Sequence, residues 1–149
     1  MFTRLLTKDT HQQEYLNFKN AGDEFAFGLY IRASMQNSKP YCVEAKHRLY
    51  LCLDHISQFL DKEKLVAIYF DIKCDQNNQF TAFDQMVRDI KAGMFSKMMC
   101  FDLAELFEEP YLTKKIDDLR NLVIDLEVSD LCGNIIQSKS IPLDQLLGV

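Results

Sequence analysis

Phe25-Ala26-Phe27-Gly28-Leu29-Tyr30-Ile31-Arg32-Ala33-Ser34 is the stretch on which the fold turns. Phe25 to Ile31 is a short apolar run rich in aromatic residues, the pattern of a buried strand. Arg32 and Ser34 close it with polar side chains. Leu65 to Ile72 reads as a second, largely apolar strand, and Lys97 to Asp102 and Leu122 to Val128 read as a third and a fourth. Between them the period changes. Leu49, Leu53, Ile56 and Leu60 make a helical stripe within Tyr41 to Lys62. Thr81 can cap a helix whose face is Phe83, Met86, Val87 and Ile90, with Gly93 as its C-terminal stop. Leu103 to Leu119 has helical spacing, broken near Pro110. Gly133-Asn134 is a turn, Ile135-Ile136 a short strand, and Ser140-Ile141-Pro142 starts a final helical turn. Strand–helix alternation with fully apolar strands predicts an α/β fold: a mainly parallel sheet of four to five strands with helices on both faces. Ligands of such sheets sit beyond the carboxyl ends of the strands, which here carry Ser34, Asp71 and Asp102.

A chain of 149 residues supports one domain with a full core. Residues 1–24 differ in pattern and read as a separate, partly helical appendage. Thr10-His11-Gln12-Gln13 is a capping box that opens a helix over Gln12 to Asn20, stopped by Ala21-Gly22. Residues 25–149 then form the α/β domain. No apolar stretch reaches the roughly 18 residues that span a bilayer, and the N-terminus lacks the apolar centre of a signal peptide. The five cysteines are odd in number and never form Cys-x-x-Cys. They read as reduced thiols of a cytoplasmic protein. Net charge is −5 and no basic run exceeds Lys114-Lys115, a balance that argues against a stand-alone nucleic-acid binder.

Arg32 and Ser34 alternate with Ala33, so their side chains share one side of the strand end. An arginine there can hold a phosphate while the hydroxyl attacks it. The bland alternative is a solvated strand end. Tyr30-Ile31-Arg32-Ala33-Ser34 resembles the Tyr-x-Arg-Val-Ser opening of serine recombinases, the resolvase/invertase family. Val43-Glu44-Ala45-Lys46 is similar to that family's Leu-Glu-Ala-Gln. Ile68-Tyr69-Phe70-Asp71 is similar to its Ile-Tyr-x-Asp. The stretch from Ala82 to Gly93 resembles Pro-x-Phe-x-x-Met-Leu-x-Asp-Ile-Lys-x-Gly. The resemblance spans roughly Phe27 to Val128, and its strength lies in the shared order, spacing and element type.

What the resemblance implies is a serine that attacks a DNA phosphodiester and arginines that stabilise the transition state. Ser34 matches the nucleophile and Arg32 one phosphate-binding arginine. The remaining positions depart from the family. Its Arg-Pro-x-Phe is Phe80-Thr81-Ala82-Phe83 here. Its Asp-Arg-Leu-x-Arg is Ala104-Glu105-Leu106-Phe107-Glu108, and its helix glutamine is Lys46. If Asp102 fills the aspartate slot instead, Leu103 falls on the first arginine. One such arginine is worth about 10³ to 10⁵ in rate. The expectation is therefore a degenerate, non-catalytic domain in a DNA recombination or mobile-element context. It would act by contact with a protein partner or a second copy, with weak or indirect DNA contact, no membrane, no cofactor and no separate DNA-binding domain. The alternatives are an active recombinase subunit with rearranged or partner-supplied arginines, and a small phosphate-binding α/β module. Cys52 with His55 reads as helix packing rather than a metal pair. Asp71 with Asp102 is a poor match to a magnesium site, and no metal is expected. Glu105, Glu108 and Glu109 read as a solvated helix start.

Overall fold

The computed structural model describes residues 11–35, 42–74, 79–123 and 125–138. Thr10 of the proposed capping box and the turn at Ser140 to Pro142 lie outside them. Six strands form one mixed sheet: β1 (His11–Tyr15), β2 (Phe27–Met35), β3 (Leu65–Cys74), β4 (Lys97–Cys100), β5 (Glu127–Ser129) and β6 (Ile135–Gln137). Their order is β1-β3-β2-β4-β5-β6. The four inner strands are parallel, and β1 and β6 pair antiparallel at the two edges. The α/β class holds; a mainly parallel sheet of four to five strands does not. The strand expected at Ile135-Ile136 is present as β6, but it pairs antiparallel, and β1 is short and mostly polar, which a parallel, doubly buried pattern cannot reveal.

Helices α1 (Val43–Phe59), α2 (Thr81–Lys91), α3 (Leu103–Leu106) and α4 (Pro110–Leu122) cover the sheet. The chain steps from β2 to β3 on one side, then back across β2 to β4 and onward to β5. Right-handed crossovers therefore put α1 on one face and α2 and α4 on the other. The core divides accordingly. Leu29, Ile31, Ile68, Phe70 and Ile72 pack with Leu49 and Ile56 of α1. Tyr30, Ala67 and Tyr69 pack with Phe83 and Met86 of α2 and with Leu112, Ile116 and Leu119 of α4. Each buried Leu or Ile is worth about 2 kcal/mol. Gly28 lies beneath the buried Phe95 ring, where a Cβ would come within 2.6 Å of ring carbon, so close packing requires glycine there.

Residues 11–24 are not a helical appendage. His11–Tyr15 alternates exposed and half-buried positions and joins the sheet beside β3, with Tyr15 opposite Ala67. Only Phe18–Asn20 turns, as a single 3-10 turn. Side chains fasten the segment. The Tyr15 hydroxyl donates to Asp89 of α2 at 2.8 Å, the Asn17 amide to the Leu65 carbonyl at 3.1 Å, and Lys64 pairs with Asp23 at 2.8 Å. The edge strand pairs the β3 backbone from Ala67 to Asp71, a gain that helical spacing in Tyr15, Leu16 and Phe18 could not indicate. Two further boundaries move. Leu122 ends α4 instead of opening a strand, and β4 stops at Cys100. The break near Pro110 is as expected, with proline in the first turn of α4.

Candidate functional site

The order of the inner strands reverses between β2 and β4, and at such a switch point the carboxyl ends of an open α/β sheet leave a crevice. A cavity of about 410 Å³ lies there. Ser34 and Arg32 from β2, Lys73 from β3, Asp102 after β4, Arg48 from α1 and Glu105 of α3 line it, with Ala104, Glu108 and Glu109. Ser34 and Lys73 are neighbours in the β2–β3 register, as are Arg32 and Asp71. Ser34 is exposed at the mouth. Of the positions read from the sequence, Ser34, Arg32, Ala104, Glu105 and Glu108 do converge here, while Phe80 is outside the lining and touches the site through Arg32.

Below the crevice the floor is dry. Asp71 is fully buried. Its carboxylate accepts from the Tyr30 hydroxyl at 2.8 Å and from the amides of Ala82 and Phe83, both at 2.9 Å. Those amides open α2. Asp71 therefore caps the helix from the neighbouring strand, and Thr81 does not: Phe80 is the N-cap residue and makes no side-chain cap bond. Burial raises the Asp71 pKa, opposed by the two amides, Tyr30 and Arg32. Burial and the Asp71 charge push the Tyr30 hydroxyl well above its ordinary range. Asp102 caps α3, accepting from the Ala104 amide at 2.9 Å. The two carboxylates considered for magnesium thus serve two different helices. Asp130 supports α3 as well, accepting from the Leu103 amide at 2.9 Å.

Both arginines of the crevice already face carboxylates. Arg48 makes a bidentate pair with Glu105, with Nη2 to Oε2 at 3.0 Å, and also meets Glu44 at 3.1 Å. Its Nη1 donates to the Arg32 carbonyl at 2.7 Å, tying α1 to the end of β2. Burial works against the Arg48 cation, but Glu105, Glu44 and Asp102 together hold its pKa above the ordinary value. Arg32 donates to the Gln79 carbonyl at 3.2 Å and approaches Glu109 at 3.8 Å. Its guanidinium lies 4.4 Å from the centroid of the Phe80 ring. Phe80 stacks in turn on Tyr111 at 4.7 Å, and the Tyr111 hydroxyl donates to Asp84 at 2.7 Å. Both arginine side chains are mostly covered, 12% and 14% exposed.

Two readings from the sequence change. Glu105 and Glu109 are not a merely solvated helix start, because each pairs with an arginine. The crevice also holds a second arginine, Arg48, which the sequence reading passed over. It is one residue in a helix whose apolar stripe explains its neighbours, and its partner lies 57 residues away. Lys73 was passed over likewise; alternation from Asp71 was the available signal. Cys52 is buried, and burial pushes its thiol up to about 12. The His55 ring lies 5.0 Å from that of Phe59. Among the described residues no group of three or more His, Cys, Asp or Glu converges on a metal position, and no helix is long and apolar enough to cross a membrane. The chain matches no family model, no curated protein and no solved structure.

Proposed function

We propose that this chain is a non-catalytic counterpart of the serine recombinase catalytic domain. It would work in the cytoplasm through protein contacts in a recombination or mobile-element setting. The observation that carries the reading is the pairing in the crevice. Glu105 occupies a position where the resemblance requires an arginine, and together with Glu109 it engages the two arginines beside Ser34. Phe80, at another such position, lies against Arg32. Two arginines line the crevice with Ser34, and each faces a carboxylate. Three cations, Arg32, Arg48 and Lys73, meet four carboxylates, Asp102, Glu105, Glu108 and Glu109. A phosphodiester entering there meets like charge, at a cost on the order of 4 kcal/mol per contact near 4 Å and an effective dielectric near 20. The same balance disfavours a phosphate-binding module.

The test is a nicked duplex library of randomised sequence, incubated with the full chain and resolved under denaturing conditions. The expected result is no protein–DNA adduct. An adduct that forms with the wild type and disappears in Ser34→Ala overturns the reading in favour of an active recombinase subunit. A partner that supplies arginines predicts the same adduct only when a second recombinase is added.

A further inference from the structure

α1 buries Ala45, Leu49, Cys52 and Ile56 against the sheet. A helix with one inward stripe ordinarily turns a polar face to water. The outward face of α1 instead exposes Val43 (61%), Tyr50 (53%) and Leu51 (41%). Val43 and Tyr50 are two turns apart and lie nearly on one line along the axis. Charges flank Tyr50 symmetrically. Lys46 stands four residues before it and Asp54 four residues after it, both exposed, each about 6 Å along the axis. The Lys46 ammonium lies 5.8 Å from the Tyr50 ring centroid, and the Asp54 carboxylate accepts from Gln58 at 2.9 Å. Eight residues separate the two charges, about 12 Å, which is too far for them to pair within one helix.

A two-fold interface needs a surface complementary to its own rotated copy: residue i meets j, and j meets i. Two α1 helices packed antiparallel about Tyr50 satisfy this. Tyr50 meets Tyr50, and Lys46 of each copy meets Asp54 of the other. Parallel packing in register would set Lys46 against Lys46 and Asp54 against Asp54. We propose that the outward face of α1 is a dimer surface and that its partner is a second copy of this chain. The proposal deepens the protein-contact reading above by naming the partner. It rests on that reading only in taking contact between chains as the working property. A helix of 17 residues is about 26 Å long and supplies an interface at the small end of the specific range. The dimer is therefore weak, with a dissociation constant on the order of 0.1 mM.

Sedimentation equilibrium of the full chain, from about 10 µM to about 1 mM, reads the association directly. The wild type is expected to shift from monomer to dimer across that range. Lys46→Asp and Asp54→Lys alone each replace two attractions with two repulsions and should weaken the dimer about tenfold. The double variant reverses both charges together and should return to within about threefold of the wild type. Tyr50→Glu should abolish dimerisation. All these side chains are exposed, and circular dichroism checks that each variant is folded. A monomeric wild type overturns the proposal, as does a dimer indifferent to these changes or a double variant without recovery. A monomer that forms no DNA adduct removes this proposal alone and leaves the non-catalytic reading standing. An adduct together with an intact dimer does the reverse.

Discussion

The floor and the mouth of the strand-end crevice lie a few residues apart on the same strands, yet they treat charge in opposite ways. At the floor, Asp71 is buried and its pKa is raised, so the fold disfavours its charge and holds it through three donated hydrogen bonds. At the mouth, the pKa of Arg48 is also raised, which for a base means that the fold favours the charge. The floor is structural: each polar atom there has a fixed partner, and removing one strands the rest. The mouth is a set of ion pairs in partial contact with solvent, where single pairs contribute little to stability. Side chains at the mouth can therefore change with little harm to the floor.

The sharpest way to break this contrast is Asp71→Ala. It leaves the Tyr30 hydroxyl and the amides of Ala82 and Phe83 buried without an acceptor. We expect a loss of about 4 kcal/mol in urea unfolding. A loss below about 1 kcal/mol would mean that the floor does not carry the structure.

Next in size is the acid limb of stability. Burial alone would raise the Asp130 pKa, but bonds from Asn134 and from the Leu103 and Cys132 amides bring it below the ordinary value. A carboxylate depressed in the folded state adds stability above its unfolded pKa, near 3.9, and the gain is lost as pH falls through the folded value. Asp71 is shifted upward and has the opposite sign. The wild type should therefore lose stability most steeply below about pH 4, and Asp130→Asn should flatten that limb. An unchanged acid slope in the variant contradicts this assignment.

At the mouth the effects shrink. Glu105→Gln with Glu109→Gln should cost about 1 kcal/mol or less, because both carboxylates are partly solvated. The same double variant should gain what the wild type lacks. With the Glu105 and Glu109 charges gone from beside Arg48 and Arg32, inorganic phosphate at millimolar concentration should raise its melting temperature and leave that of the wild type unchanged. Equal responses in the two proteins would show that the pairing does not close the crevice. Smallest of all is Ser34→Ala. Ser34 is exposed, and its removal should change stability by no more than about 0.5 kcal/mol. A larger loss would move Ser34 from the mouth to the floor.

Most of the parallel core was legible in the residues. Phe27 to Ile31 and Leu65 to Phe70 carry no charged residue because both faces of those strands are covered, and the α2 stripe Phe83, Met86, Val87 and Ile90 is buried as its spacing implies. These are local facts: a period of two or 3.6, or its absence, is set by which sides of an element are dry. One edge was legible, the short strand at Ile135-Ile136 after the Gly133-Asn134 turn; the other was not, since His11–Tyr15 owes its conformation to the strand beside it. Nor was the capping of α2. A neighbouring strand supplies Asp71, and Thr81 looked sufficient alone.

The sequence by itself determined the types of the inner strands and of the main helices, the α/β class, and that Ser34 and Arg32 stand at a strand end. Only the tertiary structure decided what the charged residues do to one another. Arg48 and Glu105 lie 57 positions apart, and Arg32 meets Phe80 and Glu109 only after two crossovers. Pairing between charges falls off with distance in space and is blind to separation along the chain. Local pattern could place each group on its element. Whether an arginine is free for a ligand or already held by a carboxylate depends on the sheet order that brings β2, α1 and α3 to one end.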